Sequence, residues 1–166
     1  MALVDAIRRE FDSEAPVTRR VLERVPLDRR DWKPHPKSMS LGRLAAWMAS
    51  APGWAAGVLF EDTFEASTWT PFAAPATGAE LVGAFDAGAE AARTAMARLD
   101  DAAARGNWSF VFQGKPMLTL PRIGFLRLFL LSDAIHHRGQ MSVFLRLLDV
   151  PVPSIYGPSA DEQAPA

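Results

Sequence analysis

Between Leu126 and Leu148 the chain carries one continuous helical seam, and it limits the fold more than any other stretch. Leu126, Leu130, Asp133, His137, Gln140, Phe144 and Leu148 are spaced 4, 3, 4, 3, 4 and 4 residues apart. Residues at that spacing share one face of an α-helix. Three of these seven are polar, and burying Asp, His and Gln in line costs free energy unless each is paired or bound. The helix must therefore face other helices at its apolar ends and a polar partner or ligand in its middle. Asp133 and His137 are four residues apart, so both side chains reach over the same patch. A carboxylate and an imidazole so placed can share a divalent metal or simply hydrogen-bond each other. His136 points about 100° away from His137 and reads as a packed or supporting histidine. His35, between Pro34 and Pro36, reads as a loop residue.

Three further helices are expected. The first runs from about Ala2 to Val25, with Leu3, Ile7, Phe11, Val21 and Leu22 in near-helical period, a kink or join at Pro16, and an end at Pro26. Leu27 to Ser38 reads as an extended loop. The second helix starts at Ser38 or Ser40 and reaches about Phe60, with Leu44, Trp47, Ala51, Trp54 and Val58 as its core seam and a bend at Pro52-Gly53. A long connection, Glu61 to Ala76, follows, of the length that is usually functional or a crossover. Thr77-Gly78-Ala79-Glu80 is a capping box that opens a third helix, extending to about Ala104. Trp108 to Phe112 and Met117 to Leu120, joined through Gln113-Gly114-Lys115-Pro116, predict a β-hairpin. Pro121 then starts the fourth helix. The outline is an all-α bundle of four helices with a long crossover and a small hairpin between helices 3 and 4. Its 166 residues form one domain, 1–166, with 157–166 as a loosely held tail.

Composition narrows the function. Lys and Arg number 18 against 19 Asp and Glu, a net charge of −1, which gives no electrostatic footprint for nucleic acid. With 49% apolar and 22% charged residues the chain is globular, not disordered. The absence of cysteine removes disulfides, thiolate zinc sites and a thiol nucleophile. The run Ile123 to Leu131 is interrupted by Arg127 and too short to span a bilayer. Met1 to Glu10 holds Asp5, Arg8, Arg9 and Glu10 with no apolar core, so a cytoplasmic protein without membrane contact is expected. No H-E-x-x-H, G-x-S-x-G, G-x-x-x-x-G-K or dinucleotide fingerprint occurs. The acidic pairs Glu61/Asp62, Asp100/Asp101 and Asp161/Glu162 read as solvated. Trp32, Trp69 and Trp108 fall outside the helices, where they can line a pocket or cap the bundle.

Four blocks carry a resemblance. They are Trp32-Lys33-Pro34-His35-Pro36, Ser38-Met39-Ser40-Leu41-Gly42-Arg43-Leu44, Ile135-His136-His137-Arg138-Gly139-Gln140, and the run Pro151-Val152-Pro153-Ser154-Ile155-Tyr156-Gly157-Pro158-Ser159-Ala160-Asp161-Glu162. In that order the chain resembles the DinB/YfiT-like superfamily over almost its whole length. The resemblance implies a four-helix bundle in up-down-down-up order and a homodimer. It also implies a Ni²⁺ or Zn²⁺ site made by three histidines, used by some members for thiol S-transfer, hydrolysis or isomerisation. Carried over by position, the histidine of the second helix falls at Trp47, the first of the last helix at Asp133, and the last is kept as His137.

Tryptophan has an N–H to donate and no lone pair for a metal. A carboxylate can replace an imidazole as ligand. The expectation is therefore a degenerate site: Asp133 and His137 hydrogen-bonded, Trp47 packed over them, and no tightly bound metal. The protein would then be a small-ligand-binding or interaction protein, in a stress response. The competing expectation is a divalent-metal-dependent transferase or hydrolase in which Asp133 and His137 hold Ni or Zn, His136 supports them, and Arg138 and Gln140 orient substrate.

Overall fold

The computed structural model describes residues 2–70 and 72–163. It is mostly helical, with a small three-stranded sheet. Helix α1 spans Leu3–Leu22 and α2 spans Leu41–Val58. Strand β1 is Thr63–Glu65, α3 is Gly78–Ala97 and α4 is Asp101–Arg105. Strands β2, Asn107–Phe112, and β3, Lys115–Pro121, lead into α5, Arg122–Phe125. A π-helical stretch, Leu126–Ser132, passes without a break into α6, Asp133–Leu147.

Local chemistry sets the helix starts. The Asp5 carboxylate accepts the Ala2 amide, and the amide of Leu3 donates to Asp101 at 2.7 Å, tying α1 to α4. Ser40 Oγ accepts the Arg43 amide and Thr77 Oγ1 accepts the Glu80 amide. Glu80 reaches back to the amide of Ala76 at 2.8 Å. Each such cap is worth roughly 1 kcal/mol. Helix α1 runs through Pro16. The third helix stops at Ala97, short of the expected Ala104, because Asp100 Oδ1 takes the amide of Ala103 and starts the separate turn α4.

The helices enclose a core of Phe11, Leu22, Leu44, Met48, Leu81, Phe85, Met96, Leu126, Leu130 and Leu145, all buried. Burying each such side chain stabilises the fold by about 1.5–3 kcal/mol. The expected seam of α2 is displaced. Leu44 and Ala51 are buried as expected, with Leu41, Met48 and Ala55, whereas Trp47, Trp54 and Val58 are only half-buried along one side. Small residues explain the shift, since they bring α2 and α3 together backbone to backbone. A Cβ added at Gly88 would lie 2.8 Å from the Gly53 amide nitrogen. The large rings are pushed to the flank, where they face the crossover and the sheet.

The sheet holds one strand more than the sequence pattern offered. Within the crossover, Thr63, Phe64 and Glu65 pair in parallel with Ser109, Phe110 and Val111. Strands β2 and β3 form the expected hairpin, but Lys115 and Pro116 belong to β3 and the turn is Gln113-Gly114 alone. Both turn residues have positive φ, 51° and 74°, the conformation a two-residue hairpin loop needs. The Glu65 carboxylate accepts both turn amides, at 3.0 and 2.9 Å, and the Ser67 amide. These bonds, led by that of the Ser67 hydroxyl, lower its pKa from 4.5 to about 2.

Trp108 is fully buried against Phe125 and donates to the carbonyl of Val58. Trp54 packs edge-on against Phe64, Phe125 and Phe129. Arg122 is buried where these parts meet. Its guanidinium donates to the carbonyls of Leu59, Glu61 and Asn107 and to Asp62. It thus satisfies chain ends from α2, the crossover and β2 at once.

Five of the six residues in the acidic pairs also anchor the fold, while Asp62, Asp100 and Asp161 stay exposed as expected. Asp62 binds Arg122, Asp100 and Asp101 hold helix starts, Asp161 pairs with Arg146, and Glu162 pairs with Arg20. Asp161 and Glu162 also accept the amides of Val152 and Ser154, so the chain up to Glu162 is tied to α1 and α6. Residues 164–166 of the expected tail lie outside the described residues. Among the described residues no helix is long and apolar enough to cross a membrane.

The contact between Gly53 and Gly88 is tested by substitution. Gly88→Ala meets backbone that cannot give, and thermal unfolding should show a loss of about 1–3 kcal/mol. Gly57→Ala, in the same helix α2 with open space around it, should instead raise stability by up to about 1 kcal/mol.

Candidate functional site

Helix α2 brings Trp47, and α6 brings Asp133 and His137, to one place between the two helices. The Trp47 indole Nε1–H donates to Asp133 Oδ2 at 2.6 Å. The other carboxylate oxygen, Oδ1, lies 3.3 Å from His137 Nε2. On the far side of the ring, His137 Nδ1 is 2.8 Å from Gln140 Oε1. The Gln140 amide nitrogen in turn meets His136 Nε2 at 3.0 Å. One self-consistent pattern of donors satisfies the row. Trp47 and a protonated His137 both donate to Asp133, His137 also donates to Gln140 Oε1, and Gln140 donates to His136.

The electrostatics agree with that pattern. Burial pushes the His137 pKa down, but the bonds to Asp133 and Gln140, with the carboxylate's charge, outweigh it, and the net shift is upward from 6.5. The side chains of His137 and Asp133 are 13% and 24% exposed.

His137 lines a pocket of about 220 Å³ together with Met39, Arg43, Trp47, Trp69 and Phe72. Trp69 and Phe72 come from the crossover. Trp69 stands perpendicular to Trp47, with ring centroids 5.6 Å apart and planes at 88°. Phe72 touches both rings, at 5.8 and 5.3 Å. Arg43, one turn before Trp47 on α2, is exposed at the rim.

The residues expected to matter divide into two groups. Trp47, Asp133, His137, Gln140 and His136 form one connected row, with His136 at its exposed outer end. Arg138 lies elsewhere. It is 1% exposed and turned toward α1, where it bonds Thr18 Oγ1, the carbonyl and carboxylate of Glu14, and the Tyr156 hydroxyl. It does not line the pocket and is not placed to orient a substrate there. His35 is a loop residue whose Nδ1 accepts the Lys37 amide. The sequence pattern missed Met39, Arg43 and Phe72. The i, i+4 relation of Arg43 to Trp47 was the available signal for one of them.

Among the described residues, no group of three His, Cys, Asp or Glu side chains is placed to hold a metal ion. A cation beside His137 would meet two donors, one of them an oxygen pair already engaged by Trp47 and His137. Three protein ligands are the usual complement of a catalytic zinc site, so this donor set does not fit one.

Fold and site together define a mostly helical protein with an aromatic-walled pocket over a half-buried Trp–Asp–His row. The chain belongs to the DinB family, whose sequence model matches residues 4–165. Its fold is similar to that of a DinB-like protein from Bacillus cereus, with a TM-score of 0.68, 21% identity, and 90% of this chain and 95% of that one covered. A DinB-like protein from Bacillus subtilis gives 0.64 and 21%, covering 89% and 96%. A 41-residue segment is 49% identical to the uncharacterized protein YrdA of Bacillus subtilis, a match spanning 25% of each chain.

The raised pKa of His137 fixes a pH dependence. A folded pKa above the unfolded one means that its stabilisation is fully present below pH 6.5 and is lost as pH rises through the folded value. Urea unfolding of the wild type should therefore show stability declining above pH 6.5, and His137→Gln should flatten the decline. An unchanged slope in the variant would assign it to other groups.

Proposed function

We propose that this DinB-family chain binds a small ligand, and that the family's metal position is closed by Trp47. We infer with it a four-helix bundle in up-down-down-up order made by α1, α2, α3 and the continuous α5–α6 helix. A role in a stress response goes with the same reading. The observation that carries it is the 2.6 Å bond from Trp47 Nε1 to Asp133 Oδ2. An indole has no lone pair to offer a cation, and its N–H needs an acceptor when half-buried. Asp133 supplies that acceptor and balances His137 with its second oxygen. The three side chains thus satisfy one another with no ion among them.

What this row leaves open to solvent is the pocket walled by Trp47, Trp69 and Phe72. Concave, mostly apolar surface with a few polar groups converging on it is the common form of a small-molecule site. The rings, with the edge of His137, supply apolar contact, and Arg43 a positive charge at the rim.

Metal titration separates this reading from that of a transferase or hydrolase that uses Asp133 and His137. Isothermal titration of tag-free protein with Ni²⁺ and Zn²⁺ should give no sub-micromolar binding. Trp47→His restores a third donor and should tighten binding by at least about tenfold, each such factor being about 1.4 kcal/mol. Sub-micromolar binding by the wild type, lost in His137→Ala, would overturn the closed site and favour the metal-dependent enzyme.

A further inference from the structure

We propose that the pocket takes a small organic acid, a flat apolar body bearing one carboxylate, and that Arg43 is the residue that holds the carboxylate. This rests on the reading of the pocket as a ligand site and adds the class of ligand.

The charge around the pocket carries the inference. Arginines elsewhere on the helices are committed: Arg19 to Asp86 and Glu23, Arg93 to Asp12, Arg127 to Glu10, Arg146 to Asp161. Among the described residues the Arg43 guanidinium has no hydrogen-bond or ion-pair partner. It stands at the rim of a pocket whose other lining groups are three aromatic rings, a methionine and one imidazole. The carboxylate of Asp133, bound to Trp47 and His137, does not line the pocket. The pocket thus presents an uncompensated cation beside apolar walls.

Shape and size supply the rest. Trp69 meets Trp47 and Phe72 edge-on, Phe72 is tilted against Trp47, and the three rings line a space of about 220 Å³. That is below the roughly 300–1,000 Å³ of drug-sized sites, which leaves room for one ring and a short acidic arm. Three rings meeting at steep angles also resemble a cage for an ammonium group. A guanidinium at the entrance repels such a ligand and attracts a carboxylate, which it can meet with two parallel N–H···O bonds.

The test compares three probes of one shape: phenylacetate, phenylacetamide and the 2-phenylethylammonium ion. Binding to the full chain is measured by isothermal titration and by the shifts of the Trp47 and Trp69 indole N–H resonances. Phenylacetate should bind about three- to tenfold more tightly than the amide, and the ammonium ion most weakly. Arg43→Gln, at an exposed position that leaves the fold intact, should bring the acid down to the affinity of the amide and leave the amide unchanged. If the amide or the ammonium ion binds as well as the acid, the ligand class is wrong while the pocket stands as a ligand site. If none of the three moves the two indole resonances, the ligand site itself is overturned.

Discussion

The bond between the Trp47 indole and the Asp133 carboxylate joins two helices that otherwise meet through apolar contact. Its effect spreads because each partner has a second task. Asp133 spends its other oxygen on His137, and His137 spends its other nitrogen on Gln140. The polar middle of the last helix thereby finds its partners within the protein. A buried polar network is costly when any member lacks a partner and rigid when all are paired. Trp47 also offers one ring face to Trp69 and Phe72. The same side chain therefore closes the polar row and begins the apolar pocket.

Much of this was legible in the residues. The spacing of Asp133, His137 and Gln140 announced a polar stripe on a buried face, and the structure joins these three side chains with Trp47. Thr77 announced its helix start, Ser38 or Ser40 bracketed that of α2, and the hairpin turn falls within the expected Gln113-Gly114-Lys115-Pro116. Other features were hidden for physical reasons. Strand β1 is three residues long and pairs with a partner far along the chain, so no local alternation reveals it. The break after Ala97 depends on which acceptor the amide of Ala103 chooses, and helical periodicity does not record that choice. Arg138 stands next to His137 in sequence, yet adjacent helical residues face about 100° apart, and its partners lie on α1. The rings of Trp69 and Phe72 come from an irregular segment, where spacing carries no directional information.

Two sequence blocks that carry the family resemblance turn out to brace each other. Arg138 stacks against the Tyr156 ring at 5.0 Å and binds its hydroxyl, while Glu14 on α1 accepts from both. A few residues on, Asp161 and Glu162 close onto Arg146 and Arg20 and onto the amides of Val152 and Ser154. The segment after α6 is thus a strap drawn across α1 and α6 by charge-assisted bonds. Composition over 157–166 reads as loose chain because it does not show which partners lie within reach.

The π-helical stretch Leu126–Ser132 sits directly before Asp133. A π turn takes in one more residue than an α turn, so the chain beyond it is rotated by about 100° from the heading a plain helix would have kept. With that offset α6 turns Asp133 toward α2 and Arg138 toward α1. A relative lacking the widened turn, with one residue fewer there, would present the same faces only if its numbering slipped by one. Any position-by-position comparison across this point that omits such a gap matches each side chain to its neighbour's counterpart.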